Sequence, residues 1–218
     1  MSSVIGSEGL DVVLPDGVSE DDLSVSTDSN GVGTVVVENN VSGIEVVATE
    51  PTTEITGKKL TEATVTTKGE KGTESTVAVE TKSFTGGTIE NKGKSSIDVN
   101  VTGTNFKKST IDAGENKKRN DNISFQGKAS VNRSDVKAGK GDDTILFGKK
   151  VKFKGKTTID LGKAGEDSIV IGRKKIKGGK LTVTSFTKKD TITIGDETYT
   201  YNDFKNGVEI TNLKVELA

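Results

Sequence analysis

Five acidic residues stand at recurring turns: Asp142 with Asp143 and Glu166 with Asp167 beside glycines, and Asp190 in a turn without one. Carboxylates grouped in this way can do two kinds of chemistry. If their oxygens converge at about 2.3–2.6 Å they hold calcium. Asp143, Asp167, Asp142 and Glu166 are then the candidate metal ligands, because Asp143 and Asp167 take equivalent places in neighbouring copies of a repeat, with Asp142 and Glu166 beside them. Set on either side of a glycosidic bond, paired acids can instead serve hydrolysis as acid and base. A purely structural role competes with both, since an aspartate in a tight turn accepts backbone hydrogen bonds. Lysine offers a third chemistry, outnumbering arginine 28 to 3. Lys150, Lys152, Lys154 and Lys156 alternate with Val151, Phe153 and Gly155, which puts the lysines outside a strand and the apolar pair inside. Such a column suits phosphate, an acidic glycan or the acidic surface of another copy. The scarcity of arginine forks and of stacking aromatics argues against specific nucleic-acid recognition. Lysine on an exposed strand also guards against sheet aggregation.

The absent residues narrow the choice. With no histidine and no cysteine, there is no Ser-His-Asp or Cys-His mechanism, no thiolate metal site and no disulfide. No catalytic residue is assigned, and the chain is expected not to be an enzyme. The first residues, MSSVIGSEGLDVV, lack the basic and long apolar segments of a signal peptide, and no window has the length and apolarity of a membrane span. The expected location is a virion or the extracellular space, reached by lysis or by a route that reads something other than an N-terminal signal.

The elements that must position these residues recur. Residues 137–148 read KAGKGDDTILFG, residues 160–172 DLGKAGEDSIVIG and residues 188–195 KKDTITIG, with a longer, degraded copy at residues 112–127. Their central isoleucines, Ile123, Ile145, Ile169 and Ile192, are 22, 24 and 23 residues apart. A second column, Ile111, Val136, Ile159 and Val183, precedes the turns, and a third, Val131, Phe153 and Ile176, follows the strands. Copies too short to bury an apolar face alone must stack, so the spacing predicts a parallel β-solenoid, or β-helix, of about 23 residues and three short strands per coil.

Residues 138–145, Ala-Gly-Lys-Gly-Asp-Asp-Thr-Ile, resemble the hemolysin-type calcium-binding repeat of the repeat-in-toxin proteins, G-G-x-G-x-D-x-apolar. Gly139, Gly141, Asp143 and Ile145 match, and Ala138 replaces the first glycine. The resemblance implies a β-roll, calcium between successive turns, and export without an N-terminal signal. It fades in the neighbouring copies, and this longer coil repeats the motif on one side only.

Charge and composition set the expected organisation. Residues 1–57 carry eleven acids and no lysine or arginine, a net charge of −11, whereas residues 58–218 carry +10. Strands expected near residues 10–14, 23–27, 33–38 and 43–49 make residues 1–57 an acidic N-terminal β-domain. Residues 58–83, rich in Thr, Lys and Glu, are expected as a polar hairpin or linker, with residues 63–67 facing 75–80. Residues 84–195 form the basic β-solenoid, from which residues 116–122 bulge as a loop, and residues 196–218 a C-terminal β cap in which Tyr199 and Tyr201 share one side of a strand. The expected fold class is all-β.

The leading functional expectation is a non-catalytic structural protein that self-associates into an oligomer, lattice or fibre, or decorates a virion or cell surface. Its acidic part would meet the lysine face of a neighbour. A secreted calcium-binding protein or adhesin, and a β-helix that binds or cleaves acidic polysaccharide, are the alternatives.

Overall fold

A computed structural model of the chain describes residues 3–114 and 119–218. It is an all-β stack in which N-terminal antiparallel strands are followed by a parallel β-solenoid and a C-terminal cap. Alternation of apolar and polar residues forms the strands, and the spacing between copies sets their register.

On the first face, Ser96–Thr102, Asn122–Gln126, Thr144–Phe147, Ser168–Ile171 and Thr191–Ile194 pair in parallel. Val99, Ile123, Ile145, Ile169 and Ile192 stand directly over one another in this register and are buried. The column before the turns is equally regular: Ile111 pairs with Val136, Val136 with Ile159 and Ile159 with Val183 on the third face. On the second face Val131 lies over Phe153. Ile176 continues that column by burial alone, since it lies outside any strand. Full burial of each such aliphatic side chain is worth about 1.5–3 kcal/mol, so the columns are the main cohesion between coils.

Parallel pairing begins well before residue 84. Val32–Val37 already pairs in parallel with Thr52–Thr61, and that strand with Glu74–Thr85. The expected hairpin does not form: Thr64–Thr67 pairs with Glu45–Ala48 and Thr88–Asn91 instead. The reason lies in side chains too small to announce a core by composition. Leu60, Val65, Val77 and Val79 are buried, and Thr53 and Thr81 face inward between them. Antiparallel pairing at this end is confined to Ser3–Ser7 with Leu10–Leu14, Leu10–Leu14 with Glu45–Ala48, and Leu23–Thr27 with Val32–Val37. Leu10, Val12 and Leu14 join the same buried cluster as the coils. The loop expected to bulge over residues 116–122 lies partly outside the described residues.

At the other end, Glu197–Thr200 turns back antiparallel on Thr191–Ile194, and Leu213–Leu217 extends the third face beside Gly179–Phe186. Tyr201 does not continue the strand with Tyr199; it starts a short helix, Tyr201–Lys205. Asp203 causes the change, because its Oδ2 accepts from the Thr200 N–H at 2.7 Å and the Thr200 hydroxyl at 2.8 Å, capping the first turn. Phe204 then packs edge-on against Phe186. Inside the stack Phe84, Phe106, Phe125, Phe147 and Phe153 form a continuous run of rings, each 4.9–5.7 Å from the next. This spine ties the first face to the second. No helix among the described residues is long and apolar enough to cross a membrane.

Candidate functional site: an aspartate column and a lysine face

The glycine turns before the first-face strands bring successive backbones very close. At Gly165 (φ +138°) a Cβ would stand 1.5 Å from the Gly141 carbonyl oxygen of the coil before. The Gly141 N–H donates to the Ala164 carbonyl at 3.1 Å across the same gap. Only a residue without a side chain fits between coils here.

This close stacking turns the acids into two columns with different environments. Asp121, Asp143, Asp167 and Asp190 point inward and are 1–3 % exposed. The Oδ1 of Asp121 accepts from the Ile97 N–H at 2.7 Å, that of Asp143 from the Asp121 N–H at 2.8 Å, that of Asp167 from the Asp143 N–H at 2.9 Å and that of Asp190 from the Asp167 N–H at 2.9 Å. Asp190 Oδ2 also accepts from the Thr187 N–H, closing its own turn. The second oxygen of Asp143 is buried without a hydrogen-bond partner. Asp142 and Glu166 lie outside. The Asp142 N–H donates to Asn120 Oδ1 at 3.1 Å and the Glu166 N–H to Asp142 Oδ1 at 2.9 Å, while Lys189 sits 3.1 Å from the Glu166 carboxylate.

Buried carboxyls one coil apart, a spacing of about 4.8 Å, cannot all ionise cheaply. Burial pushes Asp121 and Asp143 up to about 7 and Asp167 up to about 8. The accepted backbone N–H pulls each of them back, and Arg119 also lowers Asp121. Neighbouring acids add to the rise: Asp121 and Asp142 act on Asp143, and Asp143, Asp190 and Asp142 on Asp167.

Thus the four candidate ligands are brought to one corner but divided between inside and outside. Among the described residues, no group of three or more His, Cys, Asp or Glu is arranged to hold a metal ion. The inner column extends to Asp121, whose place in the repeat is marked by the sequence Asp-Asn-Ile before the strand.

The lysine face lies on the second side of the stack. Val151 and Phe153 are buried and Lys150, Lys152, Lys154 and Lys156 exposed, as their alternation requires. The next coil repeats the pattern through residues 173–180, with Ile176 inside and Lys174, Lys175, Lys177 and Lys180 exposed. Lys156 and Lys180 are register partners, and Arg173 donates through Nε and Nη2 to the Lys149 carbonyl at 3.2 and 3.1 Å. This second row carries no alternation of its own to flag it, and it shows only when the coils are superposed at their period. Comparison of the chain with protein-family models, with curated proteins and with solved structures gives no match. What the fold and these surfaces define is therefore a parallel β-solenoid scaffold with a polar corner and a basic side.

Proposed function

We propose that the protein is a non-catalytic structural unit of a virion or extracellular assembly, associating with copies of itself by setting its acidic N-terminal part against the lysine face of a neighbour. The observation that carries this is the arrangement of charge along the stack. Residues 1–57 hold eleven acids and no cation, residues 58–195 hold 29 cations against 16 acids, and the cap from residue 196 holds five acids against two lysines. Both ends are therefore acidic and the side is basic. End-to-end contact opposes like charges, whereas end-to-side contact pairs opposite ones. In dilute salt, light scattering is expected to show oligomers that dissociate as sodium chloride approaches 0.5 M, where screening leaves only the shortest contacts. Replacing Glu20, Asp21 and Asp22 with their amides should weaken them in the same direction. Association of equal strength in high and low salt rejects charge pairing.

The calcium role implied by the repeat-in-toxin resemblance is a second proposal. The unpartnered Oδ2 of Asp143 favours it, being a buried oxygen free to meet a cation. Under it, millimolar calcium raises the melting temperature of the native chain and leaves that of Asp143→Asn unchanged. No shift in either protein rejects it.

A further inference from the structure

The densest charge on the molecule is the pair of basic rows in residues 149–156 and 173–180, each with five cations and no acid. Nine of the ten are exposed and Arg173 is half-buried. Among the described residues, Lys174 with Asp196 at 3.7 Å is the sole ion pair made by either row, and both of its side chains stand in solvent. Of the rest, Lys156 lies close enough to Glu216 to help hold that carboxyl below its usual range, and none makes an ion pair among the described residues.

The two rows lie on successive coils. Coils lie about 4.8 Å apart, and alternate residues along a strand project about 6.6 Å apart on one face. Lys152 and Lys154 project from one strand, Lys175 and Lys177 flank the buried Ile176 in the following coil, and Lys156 stands over Lys180. Ammonium groups gathered this closely repel one another. A flexible chain bearing a negative charge on every unit relieves this at many points at once by lying along both rows. A single small anion relieves it at only one.

We propose that this double row binds a linear acidic polysaccharide, one carrying a carboxylate or sulfate on each sugar unit or disaccharide.

The chemistry of the patch selects that class among polyanions. Nine of its ten cations are lysines, which act as point charges without the planar fork that reads phosphate and base edges. Its one aromatic ring, Phe153, is buried, so no surface is offered for base stacking. Ile176 and Val151 are buried as well, so nothing apolar projects to enter a lipid surface. Charged sugars need none of these: they are met by ammonium groups at regular intervals on an open face. The binding needs only one copy of the chain, so it stands or falls independently of self-association.

The test is fluorescence titration of the protein, held at a concentration where scattering shows monomer, with labelled polygalacturonate. Parallel titrations use labelled chondroitin sulfate, single-stranded DNA of matched charge, and phosphatidylserine vesicles. Either polysaccharide is expected to bind more tightly than DNA and vesicles, with affinity falling steeply as salt rises. Replacing Lys152, Lys154, Lys175 and Lys177 with glutamine should weaken binding by about tenfold or more, by analogy with the loss of several phosphate contacts. Replacing the same four with arginine should preserve it. A control with Lys58, Lys59, Lys82 and Lys108 changed to glutamine has the same net charge, and should lose less than about threefold. Equal losses in the two glutamine variants, or DNA or vesicles binding as tightly as the polysaccharides, overturn the proposal. All eight positions are exposed or at the strand surface, and unchanged melting temperatures would confirm that folding is not what is being read.

Discussion

Raising the pH from 5 to 9 is expected to lower the melting temperature of the native chain, and Asp167→Asn to remove a large part of that dependence. The cause is the inner aspartate column. Asp167 has its pKa pushed up to about 8 by burial, and Asp121 and Asp143 theirs to about 7. An aspartate in the unfolded chain titrates near 3.9. Between about pH 4 and 8 the folded chain therefore holds protons that the unfolded chain has released. Stability must then fall as pH rises through that window, by up to about 1.4 kcal/mol per pH unit for each such proton. Below about pH 4 both states are protonated and this contribution is complete; above about pH 8 it has been lost. Asparagine at 167 keeps an oxygen for the Asp143 N–H, now met at 2.9 Å, and cannot ionise. The variant should thus gain on the native chain at pH 8–9, and be about equal to it at pH 5. Asp167→Ala behaves differently, because it strands the Asp143 N–H in the interior and costs about 1–3 kcal/mol at every pH. Melting curves of the three proteins at pH 5, 7 and 9 decide the matter; parallel pH profiles for native and Asp167→Asn would remove the column as their cause.

Gly165→Ala is expected to abolish folding, or to cost more than about 4 kcal/mol, a loss seen only where a core or backbone constraint is broken. The added Cβ would meet the Gly141 carbonyl oxygen at 1.5 Å and its carbon at 2.5 Å. Both are backbone atoms, so no side-chain rotation gives relief. The coils on either side are tied by the Thr144–Phe147 and Ser168–Ile171 ladder, which fixes how far they can part. Gly207→Ala is the comparison. It also sits at positive φ, +89°, but a Cβ there has nothing within 4 Å. Its cost should be the conformational one alone, about 1–2 kcal/mol. Soluble yield and thermal melting measure both, and similar losses in the two would show that conformation rather than crowding governs the turn.

The columns were legible because isoleucine and valine mark the inside of a coil without ambiguity. Ile123, Ile145, Ile169 and Ile192 could be aligned by counting, and their strands pair in that register. The same counting failed over residues 58–83, where the inward positions include Thr66, Thr67 and Thr81 and the outward ones lysine and glutamate. Threonine serves either face of a strand, so composition there describes the surface of the coil and hides its interior. At the corner, repetition of Asp143 and Asp167 was visible but their direction was not. A turn aspartate ordinarily serves its own turn, whereas these accept from the coil before. The phenylalanine spine was not legible, since Phe125 and Phe147 belong to one face and Phe153 to another, and their contact follows from closure of the coil.

The aspartate column also has an order. Every coil from the one bearing Ile97 to the one bearing Asp167 has an amide whose partner in the finished stack is the carboxylate of the next coil in the chain. The bonds therefore all run one way, each coil completing the one that precedes it in the chain. Asp190, which is held by Thr187 of its own turn, is where that succession can stop.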